Sequence, residues 1–517
     1  MPIHLLDLPS EILVQILHST DLQTLSACLA TNRRVTSIID DSILLQYRRA
    51  ALAACVEDNP WNTSLTSAQK LFALQQRQTA FTELVPNSVR IIQMDGVLTI
   101  QDIYTYALSG GIFVVTEPNR KTLRWIDFAA VEHVWNRLEI DEHVHEFALA
   151  IPEHDLLAVL TSTSTLSPSL ATTHRLRFYE MSTQSAHCGA QEPVITLPSI
   201  ILDGPDFQVD VCGPKVMVLI TDFRMFDVPA TGLQPSRVML YDWKQGLLQT
   251  DLSDMYSAAV FVSVDIILLA RWQTGTLELW STQMDVPARM TVSLKLPQLA
   301  RFGTYHVIRI EYNPKGRGGP SSKQPFHSSF ADSIIMLQII VDPSDESFPD
   351  ITNLFLFVPR RALLQLSSGR NDGEELTWRD WGPLNAKWMD GTGMLDEWPT
   401  IICGQRCVLA QATEEGARVT VLDFNPYTHR RTPIPEDEQE GDDGPSNKFV
   451  VSVVKNQFEH VEDLFAEEVD TQLGVVGVVL SRDSQYDGVL MDEEWIVGIN
   501  DKRQSEGRFW LEVLNIG

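Results

Sequence analysis

The period of the apolar positions changes once along the chain. From residue 8 to residue 85 apolar side chains recur at three- and four-residue spacings, and from residue 89 onward they come in short runs broken by Gly, Pro, Asp and Ser. Ile12, Leu13, Ile16 and Leu17 form a first helical stripe, with Pro9 suited to a helix first turn and Glu11 complementing the positive helix end. A second stripe follows Asp21 (Leu22, Leu25, Cys28, Leu29), and Asn32 can cap a third carrying Val35, Ile38 and Ile39. Asp41 or Ser42 opens a fourth with Ile43, Leu44 and Tyr47. Residues 49–85 still read as helical: Thr66 and Gln69 make a capping-box pair, Leu71, Leu74, Phe81 and Leu84 share a face, and Pro86 ends the run. The pattern therefore predicts a helical domain over 1–48, a helical linker over 49–85 and a β body over 86–517.

Within the body one strand recurs seven times: TLRWID (122–127), RLRFYE (175–180), RVMLYD (237–242), TLELWS (276–281), NLFLFV (353–358), RVTVLD (418–423) and RFWLEV (508–513). Several copies follow another apolar strand, as in DLLAVLT (155–161), PKVMVLIT (214–221), VDIILLAR (264–271) and RCVLAQAT (406–413). A repeated pair of neighbouring antiparallel strands is the signature of a propeller. The spacing is longer and less regular than in WD-type repeats, so insertions are expected at the polar stretches 313–325 and 432–447. The predicted class is α+β multidomain: a small all-α head and connecting helix, then an all-β body built as a divergent seven-bladed β-propeller. A pair of β-sandwiches is the alternative and leaves the sevenfold recurrence without a cause.

Helices of about two turns are marginal alone, and a unit of about 40 residues rarely buries enough surface to be stable without a partner. The order Leu8-Pro9-x-Glu11-Ile12-Leu13, Ile16-Leu17, Asp21-Leu22, Leu25, Leu29, Asn32-Arg33-Arg34, Ile38 and Leu44-Leu45 resembles an F-box. That family docks a small helical array on the Skp-type adaptor of cullin-RING (SCF-type) ubiquitin ligases. The resemblance implies adaptor contacts through Leu8, Pro9, Ile12, Leu13, Ile16, Leu17, Leu22, Leu25, Leu29, Ile38 and Leu44. Ala27-Cys28 stands where many F-boxes have Val before Cys, and Leu44 where many have Trp, which has more area to bury. DLLAVL (155–160), Tyr241–Gly246, Trp381-Gly382-Pro383, Gly404-Gln405-Arg406 and Leu422–Pro426 extend a similarity to the large paralogous F-box sets of mushroom-forming fungi over nearly the whole chain. The implied role is a substrate-recruiting, non-catalytic ligase subunit that presents a client protein; a propeller scaffold outside any ligase is the alternative.

The formal net charge of -28 over 517 residues disfavours nucleic acid and anionic membrane surfaces as partners. The start MPIHLLDLPSE lacks a basic n-region and a long apolar h-region, and six cysteines are too few for a disulfide framework; both fit a reducing, cytoplasmic or nuclear setting. Asp141-Glu142-His143-Val144-His145-Glu146 is the most metal-like segment, but no further ligands stand at a fixed spacing, so no metal or other cofactor is expected. Cys403 and Cys407 read as small core residues flanking a strand. No nucleophile elbow, phosphate loop, His-Glu-x-x-His or dinucleotide fingerprint occurs, so no catalytic residue is assigned. Trp378, Arg379, Trp381 and Trp388 crowd together, with Trp398 nearby, as a candidate client-binding surface, against the alternative that the rings pack between sheets.

Overall fold

A computed structural model describes residues 5–62, 64–93, 103, 105–163, 172–199, 205–222, 234–284, 286–300, 303–313, 319, 324–343, 352–370, 372–391, 393–394, 401–414, 416–429, 464–469, 471–480, 484–501 and 509–517. The expected insertions at 313–325 and 432–447 lie largely or wholly outside the described residues, as does Trp398. Helices come first: α1 (Ser10–His18), α2 (Leu22–Thr31), α3 (Arg33–Asp41), α4 (Ile43–Ala53) and α5 (Ser67–Glu83). Asp21, Asn32 and Ser42 cap the second to fourth by accepting the backbone N–H of Thr24, Arg34 and Leu45. Pro9 is itself the cap residue of α1, with ψ 149°, so the helix begins one residue later than its placement in the first turn implied.

All the described strands but one two-stranded pair form seven blades in a ring. In six of them successive strands pair antiparallel in sequence order, as in Pro205–Cys212, Lys215–Asp222, Ser236–Asp242 and Leu247–Asp254. The seven recurring segments are the third strands of the seven blades: Thr122–Asp127, His174–Glu180, Ser236–Asp242, Thr276–Ser281, Thr352–Pro359, Gly416–Asp423 and Phe509–Asn515. First strands of neighbouring blades abut around the axis. Second strands are covered on both faces, and every residue of Leu156–Ser162 and Lys215–Asp222 is buried. That double burial is why these strands read as continuous apolar runs rather than alternating ones.

The seventh blade is closed by the two ends of the body. Ser88–Gln93 pairs antiparallel with Phe509–Asn515, adding its outermost strand. The Asp492 carboxylate then ties this blade to the first by accepting the Gly111 N–H at 2.6 Å.

The linker expectation needs correction. α4 runs past residue 48 to Ala53, and Val56–Asp58 is a strand paired antiparallel with Phe326–Ser328, an insertion between the first two strands of the fifth blade. Three residues with a partner so distant carry no local periodicity. The helix that follows does have the Thr66–Gln69 capping box, and it stops at Leu84, whose φ of 47° is left-handed, before Pro86 is reached.

A buried ion pair locks α5 to the ring. Arg77 lies 2.5 Å from Glu493, which also accepts the Ser328 N–H at 2.7 Å and its hydroxyl at 3.0 Å. Burial works against charge on Glu493, and Arg77 with the Ser328 donors overcomes it, holding the carboxyl below its ordinary range. Removing one partner strands the other. Arg77→Met is expected to cost about 3–5 kcal/mol, read as a lower midpoint in chemical denaturation, while Arg77→Met with Glu493→Leu recovers much of it.

Candidate functional site

The head packs around Leu17, Leu25, Val35, Ile39 and Leu45, with Leu6, Val14, Cys28, Leu29, Ile38 and Leu52 at its margin. This core divides the apolar stripe of α1. Leu13 and Leu17 point inward, whereas Ile12 and Ile16 remain 41% and 38% exposed. On α4, which packs against α1, Ile43 and Leu44 are 43% and 39% exposed while Leu45 is buried. The N-terminal turn is held on by Arg34, whose guanidinium donates to the Leu6 carbonyl at 2.6 Å and the Leu8 carbonyl at 3.4 Å.

The residues named from the F-box resemblance therefore fall into three groups. Leu13, Leu17, Leu22 and Leu25 are buried in the head; Leu8, Leu29 and Ile38 are half-buried; Pro9, Ile12, Ile16 and Leu44 face solvent. Only the last two groups have surface to offer a second chain. Leu5, and Ile43 of the fourth stripe, join the exposed set without having been named as adaptor contacts, and Arg34 serves as a positioning residue for the turn that bears Leu5. The Asn32-Arg33-Arg34 segment was the available signal for that last role.

The tryptophan surface is overturned. Trp378, Trp381 and Trp388 are each 1% exposed and form one interior cluster. Trp378 meets Trp381 edge-on at 5.1 Å and Trp388 at 5.9 Å, Trp388 meets Phe465 at 5.7 Å, and the Trp381 indole donates to the Lys295 carbonyl at 2.8 Å. The helix Trp378–Asn385 is thereby wedged against the fourth and fifth blades, and Gly382 is required because a Cβ there would sit 2.3 Å from the Trp378 ring. The indoles serve packing because a seam between twisted sheets needs large flat groups. Arg379 alone of the four is on the surface, paired with Glu467 at 3.1 Å.

The acidic, histidine-bearing segment opens the second blade. Glu142 turns to Arg175 and Arg177 and accepts the Thr161 hydroxyl; Glu146 accepts the Thr105 hydroxyl at 2.7 Å. The imidazoles of His143, His145 and His174 gather with the Phe207 ring at centroid distances of 4.9–5.4 Å, and His145 contacts the Ser162 hydroxyl at 2.7 Å. Among the described residues no three His, Cys, Asp or Glu side chains converge as metal ligands would. Cys403 and Cys407 are buried in an apolar cluster, and burial pushes both thiols well up, which makes them poor nucleophiles. No described helix is long and apolar enough to cross a membrane.

No family model matches the chain, and no curated protein matches it. Similar solved structures include a functionally unknown protein from Desulfotomaculum acetoxidans DSM 771, at 12% identity and TM-score 0.31, covering 63% of this chain and 84% of that one. A luciferin-regenerating enzyme is similar at 6% identity and TM-score 0.29, over 63% and 88% of the two chains. An uncharacterised protein from Listeria monocytogenes EGD-e is similar at 10% identity and TM-score 0.28, over 64% and 95%. At these scores the likenesses carry no functional argument.

The histidine cluster makes the blade acid-sensitive. Burial, then the charges of His174, His143 and Arg120, push His145 down to about 4 from an ordinary 6.5, and burial lowers His174 and His143 as well. A base with a depressed folded pKa contributes stability that is complete above pH 6.5 and is lost as pH falls toward 4. His145→Phe, which extends the contact with Phe207, should make the melting temperature less acid-sensitive across that window, where burial of Glu146, its carboxyl pushed up to about 7, acts in the opposite sense. An unchanged slope in the variant would remove the cluster as a cause of acid sensitivity.

Proposed function

We propose that the chain is the substrate-recruiting subunit of an SCF-type cullin-RING ubiquitin ligase, with its head docked on a Skp-type adaptor and its propeller presenting a client protein. The observation that carries this reading is the set of apolar side chains that the head does not use for itself. Helices serving only to close a propeller would turn their apolar residues toward the sheets. The C-terminal half of α4 does so, placing Tyr47 and Ala51 against Val56, Leu74 and Phe326. The first three helices instead bury Leu17, Leu25, Val35 and Ile39 on one another, and Ile12, Ile16, Ile43 and Leu44 are left toward solvent. A scaffold role outside any ligase accounts for the packing of α4 and leaves that exposed set without a purpose.

In this reading the subunit needs no reactive group and no cofactor. A client lysine held beside a charged ubiquitin carrier reacts faster because its effective concentration is raised and its approach is oriented. The chain would work in the cytoplasm or nucleus, where such ligases act.

Full burial of an Ile contributes about 1.5–3 kcal/mol, and an Asp forced into the same contact costs several more. Ile12→Asp and Ile16→Asp should therefore each weaken capture of a Skp-type adaptor by more than about a hundredfold in co-purification. Because both side chains are exposed in the free head, thermal stability should stay near the parent value. Leu25→Ala should do the reverse, costing about 2–5 kcal/mol of head stability through its cavity. Retained capture by Ile12→Asp, at unchanged stability, refutes the docking mode.

A further inference from the structure

The seam between the head and the ring contains a cavity of about 700 Å3. One wall is α4, the second is α5, and the floor is the sixth blade with the turn after its third strand. The space is a cleft partly open to solvent, and its volume falls within the range of small-molecule sites. The sequence of α4 keeps it open. Ala50, Ala53 and Ala54 line this wall where a packed seam would carry larger side chains.

The polar groups that converge here are specific. Arg406 is buried, with its guanidinium 3.9 Å from the Phe81 ring centroid; its Nε donates to Asp423 at 3.3 Å and its Nη2 to the Gln78 Oε1 at 2.6 Å. The contact with Arg406 fixes which way the Gln78 amide faces, because the flipped rotamer would set N–H against N–H. Its Nε2 is therefore committed to the other side, where it is buried and has no acceptor among the described residues. The charged residues that line the cavity are Arg49, Arg406 and Asp423, and Asp423 is already engaged by Arg406. Arg49 has only a 3.9 Å contact with Asp40. A net positive charge thus sits beside an apolar wall of Leu71, Val421 and Val478.

The geometry points to a binding site for a small amphiphilic carboxylate, its charged head among Arg49 and Arg406, its apolar body lying along α4 and the sixth blade. A neutral or cationic analogue of equal size satisfies the apolar wall and not the charge. Because α4 and α5 form two walls, an occupied site braces the head against the ring. The site stands whether or not the head docks on a ligase adaptor.

Octanoate is a suitable probe, with octanol and octylamine as matched neutral and cationic controls, read by calorimetry and thermal shift on the full chain. Octanoate should bind and raise the melting temperature, octanol should bind at least about tenfold more weakly, and octylamine should not bind. Arg49→Met, at a partly exposed position, should weaken octanoate by about tenfold, and Thr79→Trp, an exposed lining residue, should abolish binding by filling the cavity. Arg49→Met leaves the seam's internal bonds untouched and should melt with the unliganded parent, whereas Thr79→Trp, by filling the space, should melt at or above it. No octanoate binding, equal binding of octanol, or octanoate binding undiminished in Thr79→Trp each overturns the site.

Discussion

A propeller is a sheet ring with no natural beginning, and this one depends on the pairing that gives it an end. Ser88–Gln93 meets Phe509–Asn515 across the length of the body, so the ring can close only after every blade between them has found its place. Contacts of such sequence separation bear a large loop-closure entropy, which grows only slowly with length and must be offset by good local pairing. The registration extends beyond the strand itself, since the Asn87 N–H donates to the Asn515 carbonyl at 2.7 Å and Asp492 reaches across to the first blade. Strand exchange between the termini also leaves the seventh blade with the same four-layer depth as its neighbours.

That closure sets where the head can be. α5 ends four residues before the closing strand, and its Arg77 is bonded to Glu493, in the turn between the first two strands of the same blade. Phe81 on the next turn lies near both Arg77 and Arg406, at 6.0 and 3.9 Å. Val56–Asp58 adds a second attachment through the insertion of the fifth blade, and the Asn425 amide donates to the Ala53 carbonyl at 2.8 Å as a third. Three attachments to three successive blades make the head's orientation a property of the ring, not of a swinging linker. An adaptor that grips the head in a fixed orientation would then hold the propeller at a fixed angle to whatever the adaptor carries.

The elements legible in the sequence are those whose burial is local and repetitive. Third strands recur because each is flanked by two strands of its own blade and by the adjoining blades, which imposes the same apolar and aromatic pattern seven times. Helix caps at Asn32 and Thr66 were legible for a similar reason, and Ser42 was one of two candidates, since their partners lie two or three residues away. What escaped depended on distant partners. Val56–Asp58 is a strand only because Phe326–Ser328 is beside it. The tryptophan cluster could not be placed inside or outside by composition, because the same rings suit a recognition surface and a core. On α1, consecutive residues differ by about 100° around the axis, so one stripe holding Ile12, Leu13, Ile16 and Leu17 spans both a buried and an exposed face, and only the position of α4 decides between them.

The net charge bears on how such a head avoids pairing with its own copies. Leu5, Ile12, Ile16, Ile43 and Leu44 expose apolar area at one end of a chain whose net charge is -28. Exposed apolar patches promote self-association, and mutual repulsion between copies of so acidic a chain opposes it without blocking the patch itself. A partner that brings complementary shape and less negative charge suffers no such penalty. The acidity therefore acts as a filter on what reaches the apolar end: it slows encounters with nucleic acid, anionic lipid and the chain's own copies, and speeds those with basic surfaces.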